Sequence, residues 1–175
     1  LELGEWMLRT ATSQFNKWLK IYPHLDFISV NVSSPQMSLQ DLPKMVERVI
    51  ESTGLPSGRL KLEITESVTM QNMSHNIKVI QELADTGIRV SIDDFGTGYS
   101  SLAYLHSFAV STLKIDRSFI LDLFSTKNGT SIVKAILAMA KSMDLTTIAE
   151  GVENEKEAQF LINNGCDMIQ GFLYG

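Results

Sequence analysis

Short β-branched runs recur along this 175-residue chain and alternate with segments of helical periodicity. They cover Phe27 to Ser33, Leu60 to Thr65, Ile88 to Asp93, Thr112 to Asp116, Leu145 to Glu150 and Asp167 to Gly171, each with the length and residue types of a strand. Their starts lie roughly 22 to 34 residues apart, the spacing of βα units. Between them, Leu42, Met45, Val46, Val49 and Ile50 form one apolar stripe at helical spacing, and Ile132, Val133, Ile136, Leu137 and Ala140 form another. Both read as helix faces turned to a core. A further helix is predicted from Leu3 to about Ile21. Gly54, Gly87 and Gly165 each follow a helical segment and precede a strand, the place of a left-handed C-terminal cap.

Period-2 alternation assigns the strand faces. Ile28, Val30 and Val32 oppose Ser29, Asn31 and Ser33; Ile88, Val90 and Ile92 oppose Arg89, Ser91 and Asp93; Leu113 and Ile115 oppose Thr112, Lys114 and Asp116. An open doubly wound sheet buries both faces against helices, whereas one face here is polar, increasingly so towards the C-terminal ends. The pattern predicts an α/β fold of the (β/α)8 TIM-type barrel class, whose chemistry sits at those strand ends. Asn31, Glu63, Asp93, Asp94, Lys114, Asp116, Glu150 and Gln170 all fall there, so every predicted strand ends in a polar candidate. Six βα units are two short of eight, and the first helix has no strand before it. The expectation is one partial domain over residues 1–175, truncated at both ends, with its N-terminal strands upstream.

Composition narrows the class. The chain is 44% hydrophobic and 20% charged, enough to bury one sizeable core with no internal linker. A net charge of -5 argues against a polymeric nucleic-acid binder, which concentrates Lys and Arg on one face. A small anionic ligand remains compatible if metals supply positive charge. Cys166 is the only cysteine; it reads as a buried thiol, excludes a disulfide framework and places the domain in a reducing, cytoplasmic setting. No run reaches the length of a membrane span and no signal-peptide pattern opens the chain. The domain is not expected to insert in a membrane itself.

Carboxylates, an amide oxygen and an ammonium gathered at a barrel mouth make a hard-oxygen site suited to Mg²⁺ or Mn²⁺. Asp93 and Asp94 together can serve two metals, as a two-metal hydrolase requires. Asp93-Asp94-Phe95-Gly96 also suits a plain turn with an Asx cap. Lys114 shares its strand face with Asp116, which can hold the ammonium where it orients or helps deprotonate a water; a structural ion pair fits as well. Glu150 reads as general base or metal ligand, and Glu153 as a support or an ordinary helix N-terminal carboxylate. Gln170 can donate to a phosphate or a water. Phe95 to Ser101 reads as a mobile rim loop entering a helix with a serine cap. His24, His75 and His106 lack metal-ligand spacing.

Taken in order, Asn31-Val-Ser, Glu63-Ile-Thr-Glu66-Ser, Asp93-Asp-Phe-Gly-Thr-Gly-Tyr-Ser-Ser, Leu113-Lys-Ile-Asp116, Ala149-Glu-Gly-Val-Glu153 and Gly165-Cys-Asp-Met-Ile-Gln-Gly171 resemble the motifs of the EAL family. The resemblance implies a barrel that hydrolyses cyclic di-GMP to linear pGpG with two Mg²⁺ or Mn²⁺ ions. It implies metal ligation by Asn31, Glu63 and Asp93, second-metal contact by Asp94, water activation by Lys114 and base or metal contact by Glu150. Glu153 and Gln170 support these groups, and Glu66 steadies the Asp-Asp-Phe-Gly loop, which the family also uses in dimer contacts. The resemblance further implies a homodimer and an attached sensory or GGDEF-type domain, in some cases in a membrane-anchored protein.

The Glu-Ala-Leu motif itself is absent, since Glu157-Ala158-Gln159 follows the fifth strand on a helix; the expectation is that it lies upstream. The competing reading is a catalytically inactive cyclic di-GMP receptor. From the residues alone, enolase-like proton abstraction is a third, although an asparagine ligand and paired aspartates fit it poorly.

Overall fold

The computed structural model describes residues 2–39, 41–98 and 105–174. Six strands form one sheet: β1 (Ile28–Asn31), β2 (Leu60–Thr65), β3 (Arg89–Phe95), β4 (Thr112–Ile115), β5 (Thr146–Glu150) and β6 (Met168–Gln170). All are parallel, and their order in space is their order in the chain. A doubly wound sheet reverses its order at a switch point; no reversal occurs among these strands, so each crossover packs on the same outer side. Among the described residues the α-helices include α1 (Glu2–Ile21), α2 (Ser34–Leu39), α3 (Leu42–Thr53), α4 (Glu66–Met70), α5 (Met73–Asp85), α6 (Arg117–Leu121), α7 (Gly129–Ser142) and α8 (Glu155–Asn163).

The outer strand residues Val30, Leu60, Leu62, Ile64, Val90 and Ile88 join Leu8, Phe15, Met45, Val46, Val49, Ile80 and Leu83 of the helices in one apolar cluster. Ile92, Leu113, Ile115 and Ala149 join Ile120, Val133, Leu137, Ala140 and Leu161 in a second. Each such fully buried aliphatic side chain contributes about 1.5 to 3 kcal/mol of transfer free energy. The α3 stripe buries Leu42, Met45, Val46 and Val49, with Ile50 only partly buried, and the helix ends in Gly54 with φ 67°. Ile132 does not: it is 42% exposed, because its position lies at the edge of the α7 stripe, beyond the reach of the strands.

On the inner face Lys61, Glu63, Ser91, Asp93, Thr112 and Lys114 are all buried. Among the described residues, Lys114 contacts Glu63 and Asp93 across this concave wall. This is the curled half of a TIM-type barrel. Among the described residues no helix is long and apolar enough to cross a membrane. The expected serine cap at Ser100 and Ser101 lies outside the described residues.

Lys61 is an electrostatic cost within this wall. It is 1% exposed, and its ammonium lies 3.7 Å from the centroid of the Phe27 ring. Burial, reinforced by Arg89, pulls its pKa from 10.5 down to about 8. A folded value below the unfolded one means that the native state pays for the charge at any pH below about 8, and that the penalty fades as pH rises towards 10.5. Lys61→Met is therefore expected to stabilise the chain by about 2 kcal/mol at neutral pH, after allowing for the lost cation–π contact. Denaturant titrations at pH 7 and 10.5 check this: the gain disappears at the higher pH.

Candidate metal centre and active site

Strand register brings the inner-face candidates together. Asn31 is paired with Glu63 across β1 and β2, Thr65 with Asp93 across β2 and β3, and Glu150 with Gln170 across β5 and β6. At the centre stands Lys114, whose Nζ lies 2.8 Å from Glu63, 2.9 Å from Asp93 and 2.7 Å from Glu150. Its side chain is only 5% exposed. One ammonium thus neutralises carboxylates from three different strands.

Asp94 reaches the same place by an irregularity. On a regular strand it would point to the face opposite Asp93. Instead β3 shifts register against β4 between Ile92 and Phe95, and Asp94 adopts φ 54°. Such a bulge in the left-handed region re-aims the side chain. Carboxylate oxygens of Asp93, Asp94 and Glu150 consequently lie within 4.8 Å of one another. The bulge is held from outside: Glu66 Oε2, at the start of α4, accepts from the Gly96 amide at 2.6 Å, and a Cβ on Gly98 would come within 2.8 Å of Glu66 Oε1.

The electrostatics divide the roles. Burial raises the Asp94 pKa, with repulsion from Asp93 and Asp116 adding to it. Burial also raises Glu150, more than its hydrogen bond to Lys114 lowers it. Burial pulls Lys114 down, but hydrogen bonds to Glu150, Glu63 and Asp93 outweigh it and raise the ammonium above its ordinary value. Lys114 therefore remains charged through the neutral range. It can orient and donate, whereas Glu150 is the better proton acceptor.

The expected Lys114–Asp116 pairing is replaced by these three contacts. Asp116 instead caps α6, its Oδ1 accepting from the amide of Ser118 at 3.0 Å and from the hydroxyl at 2.5 Å. Glu153 stands on the rim, 2.6 Å from Arg117 Nη2. Two features escaped the sequence reading. Glu157 closes a capping box with Asn154 and holds the Glu153 amide at 2.9 Å; its signal is the Asn-x-x-Glu spacing. Arg117, next to Asp116, lines a cleft of about 300 Å³ with Glu150, Gly151, Gln170, Gly171 and Phe172. A second cleft of about 410 Å³, between Phe27, Ser29, Glu63, Lys114 and Met168, meets it at Gln170.

A family model described as EAL domain matches residues 1–175. The chain belongs to the EAL domain family. MucR of Pseudomonas aeruginosa, described as a bifunctional diguanylate cyclase/cyclic di-GMP phosphodiesterase, is 40% identical over 100% of this EAL chain and 26% of its own length. The solved PaMucR phosphodiesterase in complex with c-di-GMP superposes on it with a TM-score of 0.94 at 40% identity, covering 99% of this chain and 70% of that one. The EAL domain of Mycobacterium smegmatis DcpA gives 0.89 at 42% identity over 98% and 78% of the two chains. This EAL chain spans about a quarter of the length of the curated relatives it matches.

The donor set fits a hard divalent cation. Several carboxylate oxygens sit within coordination reach of a common point, no sulfur or imidazole competes among them, and a cationic nitrogen already occupies the space between three of the acids. All-oxygen donors of this kind favour Mg²⁺ or Mn²⁺ over softer metals.

Proposed function

We propose that this EAL domain hydrolyses cyclic di-GMP to linear pGpG, with Mg²⁺ or Mn²⁺ held by Asn31, Glu63, Asp93, Asp94 and Glu150. The observation that carries the reading is the convergence of Glu63, Asp93 and Glu150 on Lys114, with Asp94 turned into the same cluster by its bulge. Bound there, the metals would polarise the phosphoryl oxygens and ease ionisation of the attacking water.

The chain's own groups complete the reaction. Glu150, its affinity for protons raised by burial, takes the proton from the attacking water. The water oxygen forms a bond to phosphorus and the bond from phosphorus to the ribose 3′-oxygen breaks, leaving a 5′-phosphate on pGpG and a 3′-hydroxyl that receives the proton Glu150 releases. Lys114 keeps its proton and fixes the acids in register while charge builds on the phosphoryl oxygens. Gln170, in register with Glu150, donates to the phosphate or the water. Glu153 braces Arg117. Cytoplasmic location, a homodimer through the loop after Asp94 and linkage to a sensory or GGDEF-type domain complete the proposal.

The test is turnover by the full-length protein that carries this chain, in Mn²⁺ or Mg²⁺, followed by separation of the nucleotide products. Formation of pGpG supports the assignment. Tight binding of cyclic di-GMP without any pGpG would instead identify a receptor. Glu66→Ala is expected to release the Gly96 amide and lower divalent-metal affinity about 10- to 100-fold; titrating activity against Mn²⁺ concentration measures it.

A further inference from the structure

The geometry points to Arg117 as the residue that binds the second, uncleaved phosphodiester of the substrate, an assignment that rests on the proposed reaction. Cyclic di-GMP carries two phosphodiester charges. The metal cluster answers one of them, and the neighbouring Asp116 and Glu153 are acidic. Arg117 is the cationic side chain lining the cleft that opens beside Glu150.

Two contacts hold it there before any ligand arrives. The first is backbone geometry in the loop after β5. Gly151 follows Glu150 directly and adopts φ 71°, and a Cβ at this position would overlap the Cγ of Arg117. The aliphatic stem thus lies flat on the Gly151 α-carbon, which no other residue type would permit. The second is Glu153, which takes Nη2 at 2.6 Å. The other guanidinium nitrogens make no hydrogen bond or ion pair among the described residues, and the side chain is 52% exposed. A planar fork with one edge braced and the rest presented to a cleft is suited to paired contacts with a phosphate.

The clefts lined by Arg117 and by Lys114 meet at Gln170, so a ligand bridging them puts one phosphate at the acidic cluster and the other at Arg117. Such a contact is made equally in ground and transition states. Its loss raises KM and leaves kcat nearly unchanged.

The experiment uses the full-length protein that carries this chain, and cyclic di-GMP as the probe. Arg117→Ala is expected to raise KM about 10- to 100-fold with kcat within about threefold. Binding measured by calorimetry in EDTA should weaken by a similar factor. Gly151→Ala, which displaces the stem while keeping the guanidinium, should move both readouts the same way, and Glu153→Gln should move them less than Arg117→Ala. Unchanged KM and metal-free affinity in Arg117→Ala would overturn the assignment. So would an equal loss in Glu153→Gln, which would reduce Arg117 to half of a structural ion pair. A wild-type domain that binds but does not cleave would refute the phosphodiesterase reading and leave the Arg117 affinity test intact.

Discussion

Lys114→Met is expected to lower turnover of cyclic di-GMP by about 10²- to 10⁴-fold and to destabilise the metal-free chain by about 3 to 5 kcal/mol, the usual cost of removing one partner from a buried ion pair. Methionine keeps the volume of the stem but leaves Glu63, Asp93 and Glu150 facing one another without the ammonium that now sits 2.7 to 2.9 Å from each. The pH dependence has a definite sign. Lys114 is raised above its ordinary value in the fold, so its contribution is complete below about 10.5 and is lost only at more alkaline pH. Below that range the slope comes from the acids. Glu150 and Asp94 are raised by burial, and a carboxylate raised in the fold costs stability as pH climbs from its unfolded value through its folded one. Without Lys114, Glu150 loses the hydrogen bond and the charge that hold it down and should be raised further. The variant should thus gain stability on mild acidification and on addition of Mn²⁺, each more than the parent does. Denaturant titrations at pH 5 and 7.5, with and without Mn²⁺, measure all of this; equal stability of the two proteins at pH 7.5 would contradict it.

Glu63→Gln is the second large effect. The change preserves shape and removes one charge, so turnover should fall about 10³-fold, with a much higher Mn²⁺ concentration needed for half-maximal rate. The fold should persist, because Lys114 retains Asp93 at 2.9 Å and Glu150 at 2.7 Å and Leu62 and Ile64 still bury outward. Activity assays paired with thermal melts separate the two consequences. Activity at the parental level would remove Glu63 from the metal site.

Alternation along the strands was enough to place Asp93 and Lys114 on one wall, since Ser91 and Thr112 lie two residues before them; Glu63 and Glu150 were legible only as polar residues at strand ends. It could not identify the partners of Lys114. Asp116 is close along the chain, but the actual partners come from β2, β3 and β5, and only the register of parallel strands brings them within reach. Nor could alternation aim Asp94, which by period 2 belongs on the far side; the bulge and its positive φ depend on Glu66, thirty residues away. Arg117 was invisible for a similar reason. Its position is set by the missing side chain of Gly151, a fact about two loops that meet only after folding. Ile132 marks the limit of helical periodicity, which gives the direction of an apolar stripe better than its width.

The ammonium at the heart of the acidic cluster also bears on how the domain would respond to ions. Because the protein carries its own internal counter-ion, the charged pocket is tolerated without a metal, and folding is uncoupled from ion supply. Divalent ions of the proposed kind would then act on a standing population of intact molecules, so that activity would follow ion exchange rather than synthesis and degradation.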